Sequence, residues 1–316
     1  MASYLFTLAG PALAPLSTYF FLAMAAVFWG GTFVAGRHLA SLIDPYGAGF
    51  LRFLIASILL LAWLYWQLGR FPAVNRRQLL AVILLGASGV MAYNLLFFAG
   101  LQSVEAGRAS LIIAANPVLI ALASAWLFHE PLGPLRGLGI VLSVCGAMVV
   151  IGRGDLVGLL GRGVGSGELM LLGCVVSWVA YTLIGKRILR GMSPLLAVSY
   201  SSVAGTLMLA VVTLWKGGIT AAALGNVHVW LNVAYLAVFG TVLAFVWFYK
   251  GVHELGAARA GQFINLVPVS GVCLGAWLLG EPVTWSLLVG GVLVLLGLWL
   301  TNRRPAVAGA RGDAGV

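Results

Sequence analysis

Two stretches of the chain decide its fold, because they repeat one pattern. Residues 114–131 read AANPVLIALASAWLFHEP, and residues 265–282 read NLVPVSGVCLGAWLLGEP. Each is an apolar run with an internal proline, Pro117 or Pro268, and each ends on Glu-Pro. A run of about twenty mostly apolar residues is long enough to cross the hydrocarbon core of a membrane as a helix. The pattern therefore predicts two related transmembrane helices in one chain.

The composition of the whole chain extends this interpretation. Of the 316 residues, 62% are hydrophobic and 8% are charged, whereas a soluble domain carries about 25% charged residues. The sequence shows no series of short alternating strands of the kind that indicates a transmembrane β-barrel. The predicted fold class is an all-α, multi-pass protein of an inner membrane, with the lipid bilayer as its solvent.

Apolar windows of transmembrane length recur along almost the whole sequence and predict ten helices. The predicted helices span residues 18–38, 46–66, 78–100, 107–128, 134–152, 166–188, 194–215, 229–250, 258–279 and 284–301. The corresponding domains are an N-terminal lead-in (1–17), a first repeat (18–152), a linker (153–165), a second repeat (166–301) and a disordered cytoplasmic tail (302–316).

The two halves align in register. At one constant offset, Trp29, Gly36, Arg37 and Pro45 match Trp178, Gly185, Lys186 and Pro194; at an offset two residues longer, Gly100, Pro117, Glu130 and Pro131 match Gly251, Pro268, Glu281 and Pro282. Because each half has five helices, the second half enters the membrane from the opposite side. Inverted repeats are typical of secondary transporters, whose substrate site lies near the midplane between the halves.

The distribution of Lys and Arg predicts that both termini are cytoplasmic. With the N-terminus inside, the inside segments contain Arg70, Arg76, Arg77, Arg136, Lys186, Arg187, Arg190, Lys250, Arg259, Arg303, Arg304 and Arg311. The outside segments contain only Arg37, Arg108, Arg153, Arg162 and Lys216. An excess of basic residues on the cytoplasmic side orients membrane proteins, so the net charge of +10 does not require a nucleic-acid partner.

Three groups of residues give the chain a resemblance to a known family. They are Phe28-Trp29-Gly30 with Gly36-Arg37, Ala114-Ala115-Asn116-Pro117-Val118 with His129-Glu130-Pro131, and Leu266-Val267-Pro268-Val269 with Gly280-Glu281-Pro282. Their order and spacing resemble the EamA repeat of the drug/metabolite transporter superfamily over nearly all of residues 18–301.

The resemblance implies two inverted five-helix bundles around a central cavity. The cavity would be lined chiefly by helices one, three, four, six, eight and nine, with helices five and ten at the periphery. Members of the family export amino acids, including aromatic ones, and other metabolites, so the resemblance does not name the cargo.

Polar and aromatic groups inside the predicted spans indicate the substrate pathway, because such groups are costly in hydrocarbon unless buried and paired. A proline within a helix also frees a backbone carbonyl that must face protein or a wet cavity. The predicted substrate-binding residues are Trp29, Thr32, Arg52, Tyr93, Asn94, Asn116, Trp178, Tyr181, Tyr235, Trp247, Gln262 and Asn265. Pro117 and Pro268 are predicted hinges and cavity walls.

Several of these residues allow two interpretations. Arg52, the basic residue inside a span, either snorkels or pairs within the protein, or it binds a carboxylate, for which its fork geometry is suited. Trp29 and Trp178 are either core packing or cavity wall. The glycines of helices five and ten, Gly137, Gly139 and Gly146 with Gly290, Gly291 and Gly297, indicate either packing within the chain or a dimer seam, so a monomer and a homodimer both remain open.

The remaining chemistry limits the function. No Asp or Glu falls at the middle of a predicted helix, which argues against transport through one buried titrating acid. The His residues lie near helix ends and the three cysteines are isolated, so neither a metal, a cofactor nor a disulfide is expected. The predicted function is export of amino acids or similar small metabolites; the alternatives are a drug or quaternary-amine exporter, and a membrane-embedded enzyme or scaffold subunit.

Overall fold

The computed structural model describes residues 16–129, 133–188 and 192–302, and this part of the chain is helical, with no strand. Ten of its helices are long and apolar enough to cross a membrane. We number them α1 to α10: Leu16–Ala40, Pro45–Leu68, Arg76–Leu101, Ala106–Leu127, Pro134–Ile151, Ser166–Lys186, Pro194–Lys216, Val227–Leu255, Arg259–Leu279 and Trp285–Asn302. The prediction of ten transmembrane helices is thus confirmed.

Local sequence sets the ends of the helices. Pro45, Pro134 and Pro194 occupy the first turns of α2, α5 and α7, where a missing backbone N–H costs nothing. Asn75 begins α3 with a reciprocal capping box to Gln78. The predicted lead-in before Leu16, the tail after Asn302, and the repeated Glu130-Pro131 lie outside the described residues.

Four of the helices are irregular, and in α3 and α8 no feature of the sequence predicts the irregularity. Both contain a π-helical segment, Gly86–Ala92 in α3 and Tyr235–Leu243 in α8, at repeat-related positions. The helical run of α4 is interrupted between Ile113 and Asn116, just before Pro117. In α9 a 3-10 turn, Phe263–Asn265, precedes Pro268. π segments occur often at functional sites.

Helices α2 and α7 lie side by side on the axis that relates the two repeats. The hydroxyls of Ser57 and Thr206 are 2.9 Å apart, and these two positions share the offset that aligns the halves. Residues related by a twofold axis contact each other only on that axis. Three hydroxyls of α7 also donate to carbonyls of α2, one every seventh residue: Thr213 to Tyr46, Thr206 to Phe53 and Ser199 to Leu60.

Helices α5 and α10 pack together through the predicted small residues. A Cβ added to Gly139 would lie 2.6 Å from the Gly297 carbonyl oxygen, and one added to Gly146 would lie 2.7 Å from the Gly290 carbonyl oxygen. The alignment of the halves matches Gly139 with Gly290 and Gly146 with Gly297, so the two contacts are equivalent. Because backbones approach this closely only without a Cβ, the four glycines are used inside the chain.

We call the side of the bundle at which α1 begins and α10 ends the terminal face, and the other side the distal face. The two faces are packed differently around the centre of the bundle, and this difference shapes the site. The predicted cytoplasmic position of the terminal face remains a prediction.

Candidate substrate cavity

A cavity of about 650 Å³ lies at the centre of the bundle. This volume is within the range of about 300–1,000 Å³ that is typical of small-molecule sites. The cavity reaches the terminal face, since Ser124, Arg136 and Asn302, near the ends of α4, α5 and α10 on that side, line it. The cavity therefore extends from the centre of the bundle to the terminal face.

The distal end of the cavity is closed by contacts between α4 and α9. The carboxylate of Glu281, just after α9, accepts hydrogen bonds from the backbone N–H groups of Ala106 and Gly107, at 2.6 and 2.9 Å. These are two of the otherwise unpaired donors at the start of α4. Deeper in the bundle, the Ser110 hydroxyl lies 3.3 Å from the Pro268 carbonyl.

Arg52 extends into the cavity from α2 and joins the two helices with π segments. Its guanidinium donates to Asn94 Oδ1 on α3 at 3.2 Å and to Thr241 Oγ1 on α8 at 3.4 Å. Asn94 is held in turn by a 2.7 Å bond to the Val90 carbonyl. The Arg52 Cζ lies 5.3 Å from the centroid of the Phe53 ring. The guanidinium is therefore fixed at one position by neutral partners.

Three polar atoms of the cavity are left without a partner. Among the described residues, the buried side-chain nitrogen and oxygen atoms that make no hydrogen bond are Arg52 Nε, Arg136 Nε and Asn116 Oδ1. All three residues line the cavity. Buried polar groups in native proteins are nearly always paired, so these atoms indicate where a ligand or ordered water binds. Two of the atoms are donors on cations and the third is an acceptor.

An aromatic wall faces the same space. Trp178 stacks on Tyr181 at 5.1 Å between ring centroids and contacts Tyr93 at 5.5 Å. On the other repeat, Trp29 packs against Phe245 and Phe248, and its Nε1 donates to the Gly240 carbonyl at 3.1 Å. The wall provides an apolar surface for a ligand that the polar atoms orient.

Glycines in the two π segments receive side chains from the facing helices. A Cβ added to Gly89 would lie 2.2 Å from the Tyr181 ring, and one added to Gly240 would lie 2.5 Å from Thr32 Cγ2. Gly89 matches Gly240, and Tyr181 matches Thr32, under the repeat. Both halves therefore have the same contact, in which a side chain of α1 or α6 packs against the glycine of a π segment.

The structure brings most of the predicted site residues to the cavity. Those in its lining are Trp29, Thr32, Arg52, Tyr93, Asn94, Asn116, Trp178, Tyr181 and Asn265, together with Pro117 and Pro268. Their role in substrate binding remains a prediction.

Three predicted residues lie elsewhere. Tyr235 donates to the Phe28 carbonyl at 3.2 Å, and Trp247 stacks on the Phe28 ring at 5.3 Å between centroids, so both join α8 to α1. Gln262 is exposed. The π segment of α8 explains the position of Trp247, because it shifts the face of the following helix relative to a regular α-helix.

Other lining residues were not among the predicted site residues. Phe245, Phe248 and Tyr249 of α8 line the cavity in place of Trp247. Helices two, five, seven and ten also contribute, which the resemblance did not imply: the lining includes Phe53, Arg136, Val198, Ser201, Ser202, Leu298, Thr301 and Asn302. The charge count places Arg136 with the inside residues, at the start of the fifth predicted helix, and no sequence signal distinguishes it from the other inside basic residues.

Comparison with known proteins places the chain in a family. The sequence model of the EamA-like transporter family matches twice, over residues 16–152 and 165–303. The chain belongs to the EamA-like transporter family. The predicted resemblance is thereby confirmed at the level of the family, and the cavity is that of a membrane transporter.

Curated relatives of this EamA-like transporter are similar along nearly their whole length. The uncharacterized transporter YyaM of Bacillus subtilis is 28% identical, over 90% of this chain and 92% of that protein. The uncharacterized inner membrane transporter YedA of Escherichia coli K12 is 28% identical, over 91% and 94%. A solved crystal structure superposes with a TM-score of 0.63 at 20% identity, covering 91% of this chain and 96% of that one, which shows a shared fold. The chain is a multi-pass inner membrane protein.

Proposed function

We propose that this EamA-like transporter exports amino acids, including aromatic ones, or similar small carboxylate-bearing metabolites by alternating access. The observation that carries the proposal is the pair of unpaired atoms Arg52 Nε and Asn116 Oδ1 in one cavity. A carboxylate accepts from the guanidinium, and an ammonium or amide donates to the Asn116 oxygen. The aromatic wall of Tyr93, Trp178 and Tyr181 suits an apolar side chain.

The charge of the lining favours this cargo over a drug or quaternary amine. Among its described residues the cavity contains two arginines and no Asp or Glu. Aromatic rings alone attract cations, but the two guanidinium groups of the lining repel them. The same guanidinium groups attract a carboxylate.

The conformation supports alternating access. The distal face is closed through Glu281 and Ser110, while the cavity reaches the terminal face. With the predicted orientation, this is the state that loads cargo from the cytoplasm. Since the described lining lacks an acidic side chain that could carry a proton, transport should run down the cargo gradient with at most weak coupling to protons.

The test is initial-rate transport in proteoliposomes with phenylalanine and phenylalaninamide as probes. Arg52→Ala should reduce phenylalanine transport about 10- to 100-fold, as expected for loss of a hydrogen bond to a charged group, and should reduce the phenylalaninamide rate much less. Arg52→Lys should restore part of the rate, because it keeps the charge and loses the fork. Arg77→Ala, an exposed arginine of the terminal face, is the control.

Two results would contradict the proposal. Equal losses for the acid and the amide in Arg52→Ala would make Arg52 a structural residue. A large acceleration of wild-type transport by an imposed pH gradient would defeat the facilitative mechanism.

A further inference from the structure

We propose that Arg136 forms a second binding site for the anionic group of the cargo, at the terminal end of the cavity. The inference rests on the proposed function, because it concerns the path by which the same cargo reaches Arg52. The ligand class is a small oxyacid group, a carboxylate or a phosphate.

The first argument is the state of the side chain. Arg136 lines the cavity, and its Nε has no accessible surface and no hydrogen-bond partner in the described structure. Basic residues that only orient a protein in the membrane need no burial. Arg76 and Arg77, on the same face, are exposed. Arg136 is half-buried and is thus placed differently from its neighbours of the same charge, and its enclosed Nε needs a compensating partner.

The second argument is its position on the helix. Arg136 lies in the first turn of α5, which contains no acidic residue. A cation at the positive end of a helix is unfavourable, whereas an anion there is stabilised. An anionic ligand on Arg136 would therefore compensate both the guanidinium and the helix end.

The third argument comes from the repeat. The position in α10 that matches Arg136 is Leu287, which is buried in the apolar core at the closed distal end. The helix packing of the repeat therefore does not require a charged residue at the position shared by Arg136 and Leu287. Arg136 differs from its counterpart at the end of the bundle where the cavity is open.

The two arginines lie at different depths. Arg52 lies about 10 Å inside the distal end of α2, and Arg136 about 3 Å inside the terminal end of α5, taking about 1.5 Å per residue along a helix. Ser124, Thr301 and Asn302 accompany Arg136 at its end of the cavity. A carboxylate entering from the terminal face would therefore meet Arg136 first and Arg52 second.

The test measures transport of phenylalanine by the full-length protein in proteoliposomes. Arg136→Gln should raise the KM for phenylalanine about tenfold, as loss of one charged hydrogen bond predicts, and should leave the maximal rate nearly unchanged, because capture precedes translocation. Arg136→Lys should raise the KM less. Arg77→Gln should change neither value. The KM for phenylalaninamide should not rise in Arg136→Gln.

Arg52→Ala in the same assay separates the two proposals. If neither arginine distinguishes the acid from the amide, the proposed function fails. If Arg52→Ala distinguishes the acid from the amide but Arg136→Gln leaves the KM for phenylalanine unchanged, the second site is refuted. Equal loss of maximal rate for both probes in Arg136→Gln would make Arg136 structural and would also refute it.

A lipid phosphate is the other possible source of the anion. The assay is therefore run in vesicles of phosphatidylcholine alone and in vesicles with phosphatidylglycerol added. A cargo site predicts the KM effect of Arg136→Gln in both lipids. An effect that appears only with phosphatidylglycerol would assign Arg136 to the headgroup and overturn the proposal.

Discussion

The two ends of the central cavity are built from repeat-related residues but are packed in opposite ways. At the distal end, Ser110 of α4 fills the space beside Gly271 of α9, where an added Cβ would lie 2.6 Å from it. The matching pair at the terminal end is Gly261, just before the 3-10 turn of α9, and Ile120 of α4. Nothing lies within 4 Å of a Cβ added to Gly261, and Ile120 lines the cavity.

One repeated sequence pattern can therefore form two gates that differ in packing. We call the Ser110–Gly271 contact the distal seam and the Gly261–Ile120 pair the terminal seam. If the chain alternates, the opposite state closes the terminal seam and opens the distal one. Each seam then contains a glycine that is essential in one state and free in the other.

The largest expected effect comes from filling each glycine in turn. Gly271→Leu cannot fit the closed distal seam and should shift the population toward the opposite state, whereas Gly261→Leu fits this state and should hold it. Overpacking costs about 1–3 kcal/mol, which is about a 5- to 150-fold change in population. Both variants should therefore lose most of their transport.

The two variants should differ in the side from which the cavity is accessible. The reporter is Asn265→Cys, a cavity-lining position, in a background without Cys145, Cys174 and Cys273. A membrane-impermeant thiol reagent should label it from the terminal side in Gly261→Leu, and more from the distal side in Gly271→Leu. The same labelling pattern in both variants would show that the two seams do not alternate.

A smaller effect is expected at the carboxylate that closes the distal end. Glu281→Gln keeps an acceptor for Ala106 or Gly107 but loses the charge, and hydrogen bonds to charged groups contribute about 1.5–3 kcal/mol. Labelling of Asn265→Cys from the distal side should rise about tenfold. Glu254→Gln, a matched acid on the terminal face that pairs with Thr18, should leave the labelling unchanged; equal responses would show a general loss of stability.

The structural features that depend on burial in lipid could be predicted from the sequence. Long apolar runs specify transmembrane helices, since backbone groups in a bilayer must be paired within the segment. Pro117 and Pro268 are predicted hinges and cavity walls; an irregular turn precedes each of them and both line the cavity, while their role as hinges remains a prediction. The stripe of Gly139, Gly146, Gly290 and Gly297 predicted close packing, but the sequence left packing within the chain and a dimer seam as open alternatives.

Two kinds of feature could not be predicted from the sequence. They are the side chains that a helix turns toward the cavity and the conformational state that is populated. The π segments turn Phe245 toward the cavity and Trp247 away from it, and no residue in Tyr235–Leu243 signals the extra residue per turn. Arg136 could not be separated from exposed arginines by charge alone. The alignment of the two halves matches the seams position by position, with Ser110 opposite Gly261 and Gly271 opposite Ile120, but it does not tell which seam is closed.

The smallest effect is expected on the axis between the repeats, where the two ends of the cavity should not differ. Ser57 and Thr206 match each other and are in contact, so both states should keep this pair. Ser57→Ala removes one hydrogen bond, and such bonds in membranes contribute about 0.6 kcal/mol on average. Thr206→Ala should cost more, because its hydroxyl also lies 3.1 Å from the Phe53 carbonyl and 2.7 Å from the Ser202 carbonyl.

Both substitutions should lower the free energy of unfolding without changing the side from which the cavity is accessible. Unfolding in denaturant measures the first quantity, and the ratio of distal to terminal labelling of Asn265→Cys measures the second. The twofold axis relates the two conformational states to each other. A residue on the axis therefore contributes the same free energy to both states, and its removal does not change the free-energy difference between them. A change of more than about threefold in the labelling ratio, equivalent to about 0.65 kcal/mol, would show that α2 and α7 move against each other. The seams would then not be the only moving contacts of the transport cycle.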